Sequence, residues 1–233
     1  MVLALTAIML GGIVGTLANI ITSRLPADGD PPAFGLPLRP GTGKPDSMGL
    51  IPYIGAFMTR GSGVDLPKLA TELACSSVIA IALMRFGTTF DAFRAATFSI
   101  VLLLILRIDW QNHLIFTITI VPGLLLALGL QALDSPETLL TSMLAAFLAA
   151  AVFLGLFVFA LAVYKQRALG FGDVLLAALI GAMVAERTHA AILLGMILGA
   201  LGGLFLIAIR VRGRDDHIPY GAYLCLGAMI VLL

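Results

Sequence analysis

Two aspartates at the ends of apolar runs are the residues in this sequence best suited to chemistry. Asp109 follows the run 99–108, and Asp173 follows Gly170-Phe171-Gly172 at the start of another run. A carboxylate at a helix centre in a membrane costs roughly 2.5–3.5 kcal/mol, so such residues indicate a function. Two carboxylates held close together share one proton, because both cannot ionise easily. One can then take a proton from water while the other hydrogen-bonds a peptide carbonyl, as in an aspartyl protease. The sequence does not say which aspartate is the acid and which the base.

The residues before Asp173 suit such a site. Gly170 and Gly172 are expected to allow positive φ and to let an extended substrate backbone approach closely. Phe171 is expected to form a wall or a membrane anchor, and Asp173 to benefit from the free N–H groups of a helix start. The structural alternative stays open: Asp173 could be only a helix cap, and Asp109 could be only the partner of Arg107.

The elements that carry these residues are predicted to be membrane-spanning helices. Of the 233 residues, 60% are hydrophobic and 12% charged, about half the charge of a soluble domain, and the mean hydropathy is +1.08. Each span needs about 20 apolar residues. The apolar runs predict an all-α polytopic membrane protein with eight spans, at 2–22, 69–86, 92–108, 114–131, 138–163, 173–186, 190–211 and 218–233. The sixth and eighth runs are short, so half-length, tilted or unwound spans are expected there.

The chain is predicted to form a single membrane domain over residues 1–233. Its one large connection, 24–68, contains eight of the eleven prolines and eight glycines, a composition typical of an irregular loop. The apolar run at the amino terminus has no basic residue before it and no small-residue cleavage site after it. It is therefore interpreted as the first span rather than as a removable signal peptide.

The basic residues predict the orientation of these spans. Eleven of the fourteen Lys and Arg residues fall on the side of the large loop, and the other three, Arg85, Arg94 and Arg187, fall on the opposite side. Cytoplasmic loops retain basic residues. The large loop and both aspartates are therefore expected at the cytoplasmic face, with both termini outside.

Several other kinds of site are disfavoured. A net charge of +1 without long charge runs argues against nucleic acid as a partner. Cys75 and Cys225 form no CxxC pair and are interpreted as buried packing residues. The three histidines fall in different connections, and neither HExxH nor GxSxG occurs, so no metal site and no serine nucleophile are predicted.

Three further features have a structural interpretation, and for Glu72 a functional one is equally open. Glu72 could bind the amino end of a substrate or pair with an interfacial arginine. Asn19 is expected to hydrogen-bond between helices. Gly195, Gly199 and Gly203 share one face of the seventh span and are expected to allow close helix packing.

Five segments in order resemble the type IV prepilin leader peptidases, bacterial membrane aspartyl proteases of the GxGD type. Gly170–Leu176 resembles the second catalytic segment, and Arg107–Trp110 falls where the first catalytic aspartate is expected. The remaining matches are Gly11–Ile21 with Arg24-Leu25-Pro26, Glu72-Leu73, and Ile218–Gly221 with Leu226–Ala228. The sequence departs from the family in two places: the loop lacks the paired cysteines of many members, and Leu114–Thr117 replaces a common Pro-Asp or Pro-Asn pair.

The resemblance implies an enzyme and its partners. It implies an inner-membrane peptidase that uses Asp109 and Asp173, without a cofactor, to cut a basic leader from a prepilin or type II secretion pseudopilin. Many members also methylate the new amino terminus with S-adenosylmethionine; whether the altered loop retains this activity is left open. No structural zinc is expected, because the loop has no cysteine.

Two other classes remain as alternatives. A proton- or cation-coupled secondary transporter could use Asp109 and Asp173 as carriers near mid-bilayer, although no inverted repeat is visible. A catalytically inactive scaffold of a pilus or secretion assembly is the other, and it would not need both acids.

Overall fold

The structure is a computed structural model, and it describes residues 2–23, 52–53, 65–112, 117–164, 170–208 and 220–233. Most of the predicted loop 24–68 lies outside the described residues. The same is true of His113, His217, residues 114–116, Ile218-Pro219 and nine of the eleven basic residues assigned to the cytoplasmic side.

The described part of the chain is helical and contains no strand. Its eight α-helices are α1 (Val2–Ser23), α2 (Leu66–Phe86), α3 (Phe90–Asn112), α4 (Thr117–Asp134), α5 (Pro136–Tyr164), α6 (Phe171–Val184), α7 (Thr188–Ala208) and α8 (Tyr220–Leu232), and a 3₁₀ turn at Ala185–Arg187 joins α6 to α7. Each coincides with one predicted apolar run, and α6 and α8 are short, with 14 and 13 residues.

Four stretches among the described residues are long and apolar enough to cross a membrane: Leu5–Thr22, Leu66–Phe86, Pro136–Val163 and Phe171–Phe205. The last of these runs from α6 through the 3₁₀ turn into α7. The prediction of a polytopic helical membrane protein is thus supported at this coarser level. The count of eight spans and the layout of the large loop stay predictions.

The helices form two compact units, one of residues 1–104 with Leu233 and one of residues 105–232. In the first unit, α1 and α2 pack closely through glycines of α1. A Cβ on Gly15 would lie 2.5 Å from the Cα atom of Glu72, and one on Gly11 would overlap the backbone of Ser76. Asn19 donates a hydrogen bond of 3.2 Å to the Lys68 carbonyl oxygen, which confirms the predicted bond between helices.

Both ends of α2 have residues that are typical of helix caps. The Asp65 side chain accepts a hydrogen bond of 3.1 Å from the Lys68 N–H at the first turn, which satisfies one of the free donors of a helix start. At the other end, Gly87 has φ of +70° and donates its N–H to the Leu83 carbonyl oxygen. A side chain there would be strained, so glycine fits this helix end.

In the second unit, α6 packs against α5 and is capped by α4. A Cβ on Gly181 of α6 would lie 2.6 Å from the Ala145 carbonyl oxygen of α5. The buried Gln131 side chain of α4 donates hydrogen bonds of 3.2 and 3.4 Å to the carbonyl oxygens of Ala182 and Met183. Because the last carbonyls of a helix have no partner within it, Gln131 stabilises the carboxyl end of α6.

A seam of glycines joins α7 to α8 in the same unit. Cβ atoms on Gly195 and Gly199 would lie 2.7 Å from the Leu224 Cα atom and 3.4 Å from the Tyr220 ring. The sequence predicted close packing at these two positions. Gly202, which it did not single out, packs against the Tyr223 ring. Small residues let two backbones approach closely, so the position of α8 along α7 is sharply defined.

Candidate active site

Asp109 lies in the last turn of α3 and is almost fully buried, with 4% of its surface exposed. Its Oδ2 atom accepts a hydrogen bond of 2.7 Å from the backbone N–H of Ala222. Ala222 is the third residue of α8, where N–H groups have no partner within the helix. The positive end of α8 therefore faces the Asp109 carboxylate and stabilises its charged form.

Asp173 lies in the first turn of α6 and is half-buried. Its Oδ2 atom accepts a hydrogen bond of 3.0 Å from the Gly170 N–H, and its own N–H donates to the Gly170 carbonyl oxygen at 3.1 Å. The carboxylate thus folds back over the start of its own helix, which sets its direction.

The second unit contains both carboxylates, and they are near each other. The Asp173 charge acts on Asp109, and the buried Cys225 thiol lies within electrostatic range of both. Three helices therefore meet at this point: α3 and α6 each supply one aspartate, and α8 supplies a hydrogen bond to one of them.

The surroundings of Asp109 change its proton affinity. Asp109 lies beyond the predicted third span and outside the four stretches long enough to cross a membrane. Burial raises the pKa of Asp109 from 3.8 to about 6; the Ala222 N–H opposes this rise, and the nearby Asp173 charge adds to it. A carboxyl with such a pKa can hold a proton or release it near neutral pH.

The turn before Asp173 differs from the expected one in its backbone. Gly170 has φ of −82° and ψ of 151°, and Gly172 lies within α6. The expectation of positive φ at these glycines was wrong, because Gly170 is an extended residue that starts a helix. Gly170 is nevertheless exposed, and Phe171 beside it is 57% exposed and packs edge-on against Phe157 at a ring distance of 6.4 Å.

The structural alternatives for the two aspartates have different outcomes. Asp173 does cap its helix, through one carboxylate oxygen, and this bond is compatible with further chemistry. The predicted pairing of Asp109 with Arg107 stays a prediction. Asp109 accepts a hydrogen bond from α8, and this is a backbone contact that sequence patterns do not reveal.

Glu72 belongs to the first unit, where structural contacts account for both of its carboxylate oxygens. It is fully buried; Oε1 accepts a hydrogen bond of 2.9 Å from the Thr16 hydroxyl, and Oε2 accepts one of 2.7 Å from the Tyr53 N–H. The Tyr53 hydroxyl in turn donates to the Ile8 carbonyl oxygen at 2.9 Å. Glu72 thus ties Tyr53 to the α1–α2 pair, and a contact with substrate stays a prediction.

Sequence reasoning missed Ala222, although it singled out the neighbouring Ile218–Gly221. A proline shortly before an apolar run does indicate a helix start, but which carboxylate that start faces depends on packing between distant helices. Within the part of the chain that the structure describes, no group of three His, Cys, Asp or Glu side chains is placed to hold a metal ion.

Two comparisons relate this chain to known proteins. Residues 96–208 match the type IV leader peptidase family, and this segment contains both Asp109 and Asp173. The chain is also 26% identical over 163 residues to a prepilin leader peptidase/N-methyltransferase of Pseudomonas putida; the aligned part covers 70% of this chain and 57% of that relative. No solved structure matches. The family match and the relative agree with the sequence resemblance, and residues 96–208 of this chain are similar to the type IV leader peptidase family.

Proposed function

We propose that this protein is a prepilin leader peptidase, an aspartyl endopeptidase that uses Asp109 and Asp173 as its catalytic pair. The observation that carries the proposal is that both carboxyls belong to one compact unit, at the end of α3 and the start of α6, where the Asp173 charge acts on Asp109. A pair of this kind can act as acid and base without a metal or a covalent intermediate.

The proposed reaction needs one protonated and one ionised carboxyl. The ionised member takes a proton from water, whose oxygen attacks the carbonyl carbon of the scissile peptide bond. The protonated member donates its proton to the carbonyl oxygen, giving a tetrahedral intermediate. As this collapses, the first carboxyl gives the proton that it took from water to the amide nitrogen, and the C–N bond breaks. A hydroxyl of the intermediate returns a proton to the second carboxyl, and a carboxyl and an amine are released.

The surroundings of the pair suit an extended peptide. The exposed Gly170 leaves room for a substrate backbone beside Asp173, since no side chain stands there. The exposed Phe171 ring supplies an apolar surface two residues from the carboxylate. The proposed substrate is a type IV prepilin or a type II secretion pseudopilin, whose basic leader is followed by an apolar helix. By the family resemblance, cleavage follows a glycine at the end of the leader.

The proposal includes the place of cleavage. The excess of basic residues on one side supports a position of the pair at the cytoplasmic face of a bacterial inner membrane. N-methylation of the product with S-adenosylmethionine is a separate expectation, which rests on the family resemblance. The mass of the mature amino terminus distinguishes a methylated product from an unmethylated one.

The test is processing of candidate prepilins coexpressed with the protein. We expect Asp109→Asn and Asp173→Asn each to lower processing by at least roughly a thousandfold, because each removes half of the acid and base chemistry. Asp91→Asn is the matched control, since Asp91 is an exposed acid that pairs with Arg94 at 2.7 Å. Normal processing by either site variant, at equal membrane levels, would contradict the mechanism.

A further inference from the structure

The hydrogen bond to Asp109 joins residues 113 positions apart and comes from an element that carries neither aspartate. Its donor is the third backbone N–H of α8, and the N–H groups of a first helical turn have no partner within the helix. The acceptor is an almost fully buried carboxylate. A bond to a charged acceptor in such surroundings is strong, so it constrains where the Asp109 carboxyl lies.

The start of α8 is itself held in place by backbone contacts with α7. A Cβ on Gly227 would lie 2.5 Å from the Ala191 carbonyl oxygen and would also overlap the backbone of Gly195. The Tyr220 ring, at the first position of α8, lies over Gly199. The close backbone packing of Gly227 against Ala191 and Gly195 therefore opposes a shift of α8 along α7.

The same end of α8 approaches both aspartates. Tyr220 lies within electrostatic range of Asp173, and Cys225, one turn further along α8, lies within range of Asp109 and Asp173. Among the described residues, Asp173 of α6 acts on Asp109, and both aspartates in turn act on the Cys225 thiol of α8.

We propose that the first turn of α8 is a positioning element of the catalytic pair, with the Ala222 N–H holding the Asp109 carboxylate and the α7–α8 glycine seam holding that N–H. The catalytic role of this turn rests on the proposed peptidase function. The placement of Asp109 by α8 does not depend on that function, and it can be measured without any substrate.

The experiment is an infrared titration of the protonated Asp109 carboxyl in the purified chain reconstituted in lipid. The band is assigned by its loss in Asp109→Asn. Ala222→Pro deletes the N–H, and the first turn of a helix tolerates proline better than its interior. Replacing the Ala222 peptide N–H by an ester oxygen deletes the same donor without a new side chain, so it serves where the proline variant fails to fold. Ala222→Gly keeps the N–H and is the matched control.

We expect a titration midpoint at about pH 6 in the unmodified chain and in Ala222→Gly. Deleting the N–H should raise the midpoint by roughly one to two pH units, the size of a hydrogen bond to a charged group. Prepilin cleavage should show the same upward shift of its pH profile, whereas a merely structural defect would lower the rate at every pH. An unchanged midpoint in folded ester or proline variants would overturn the proposal. A shifted midpoint in a chain that cleaves no prepilin would instead count against the peptidase function alone.

Discussion

At the scale of single residues, the site depends on carboxyls with different exposure. Asp109 is buried beneath the start of α8, and Asp173 is half-buried at the start of α6. The sequence predicted both positions, because an acid bordering an apolar run is costly and therefore informative. It could not predict the donor to Asp109, since every residue except proline has a backbone N–H. The expectation of positive φ at Gly170 was wrong, because Gly170 is an extended residue at the start of a helix.

The pKa of Asp109 predicts how activity depends on pH. Burial raises it to about 6, so the carboxyl holds its proton below that pH and loses it above. The proposed mechanism needs one protonated carboxyl, and cleavage should therefore fall as pH rises through about 6, with a second fall in more acidic solution when both carboxyls are protonated. Initial rates of prepilin cleavage in detergent, measured from about pH 4 to about pH 8, give the profile. A rate that keeps rising above pH 7 would contradict a shared-proton pair.

At the scale of helices, glycine-lined contacts determine which elements meet. Hydropathy predicted each helix because a membrane requires long apolar runs with satisfied backbones. It could not predict packing partners, which depend on where small residues face another backbone, as Gly15 faces Glu72 and Gly195 faces Leu224. The consequence for Glu72 is that its burial comes from close packing of α1 on α2, and its two acceptor oxygens are used within that pair.

Glu72 is expected to matter for stability. Glu72→Ala leaves the Thr16 hydroxyl and the Tyr53 N–H without their buried acceptor, which should cost about 1–3 kcal/mol for each donor. Glu72→Gln keeps one acceptor oxygen and should cost less. Thermal unfolding in detergent measures both. Cleavage by the folded fraction of Glu72→Gln should keep its KM; a KM raised severalfold with unchanged melting would support the alternative, that Glu72 binds substrate.

At the scale of the whole molecule, the packing of the helices does not tell in which direction the chain crosses the membrane. The distribution of basic residues predicts that direction. Asp109 at the end of α3 contacts the start of α8, and Gln131 at the end of α4 contacts the end of α6. Within the second unit these contacts agree with helices that alternate in direction. Which end faces the cytoplasm follows only from the eleven basic residues on one side and three on the other.

Cysteine labelling tests this orientation. In a Cys75→Ala, Cys225→Ala background, Asp46→Cys in the large loop and Asp215→Cys before α8 should resist a membrane-impermeant maleimide added outside the inner membrane, and react once that membrane is opened. Glu137→Cys, at the exposed start of α5, should react from outside without opening. All three variants must still process prepilin, which shows that the chain is inserted normally. Labelling of Asp46→Cys from outside would place the loop, and with it the proposed site of cleavage, on the wrong side for a leader that is still in the cytoplasm.

An even number of spans further requires that cysteines added at the two termini label from the same side as Glu137→Cys, because the sequence predicts both termini outside.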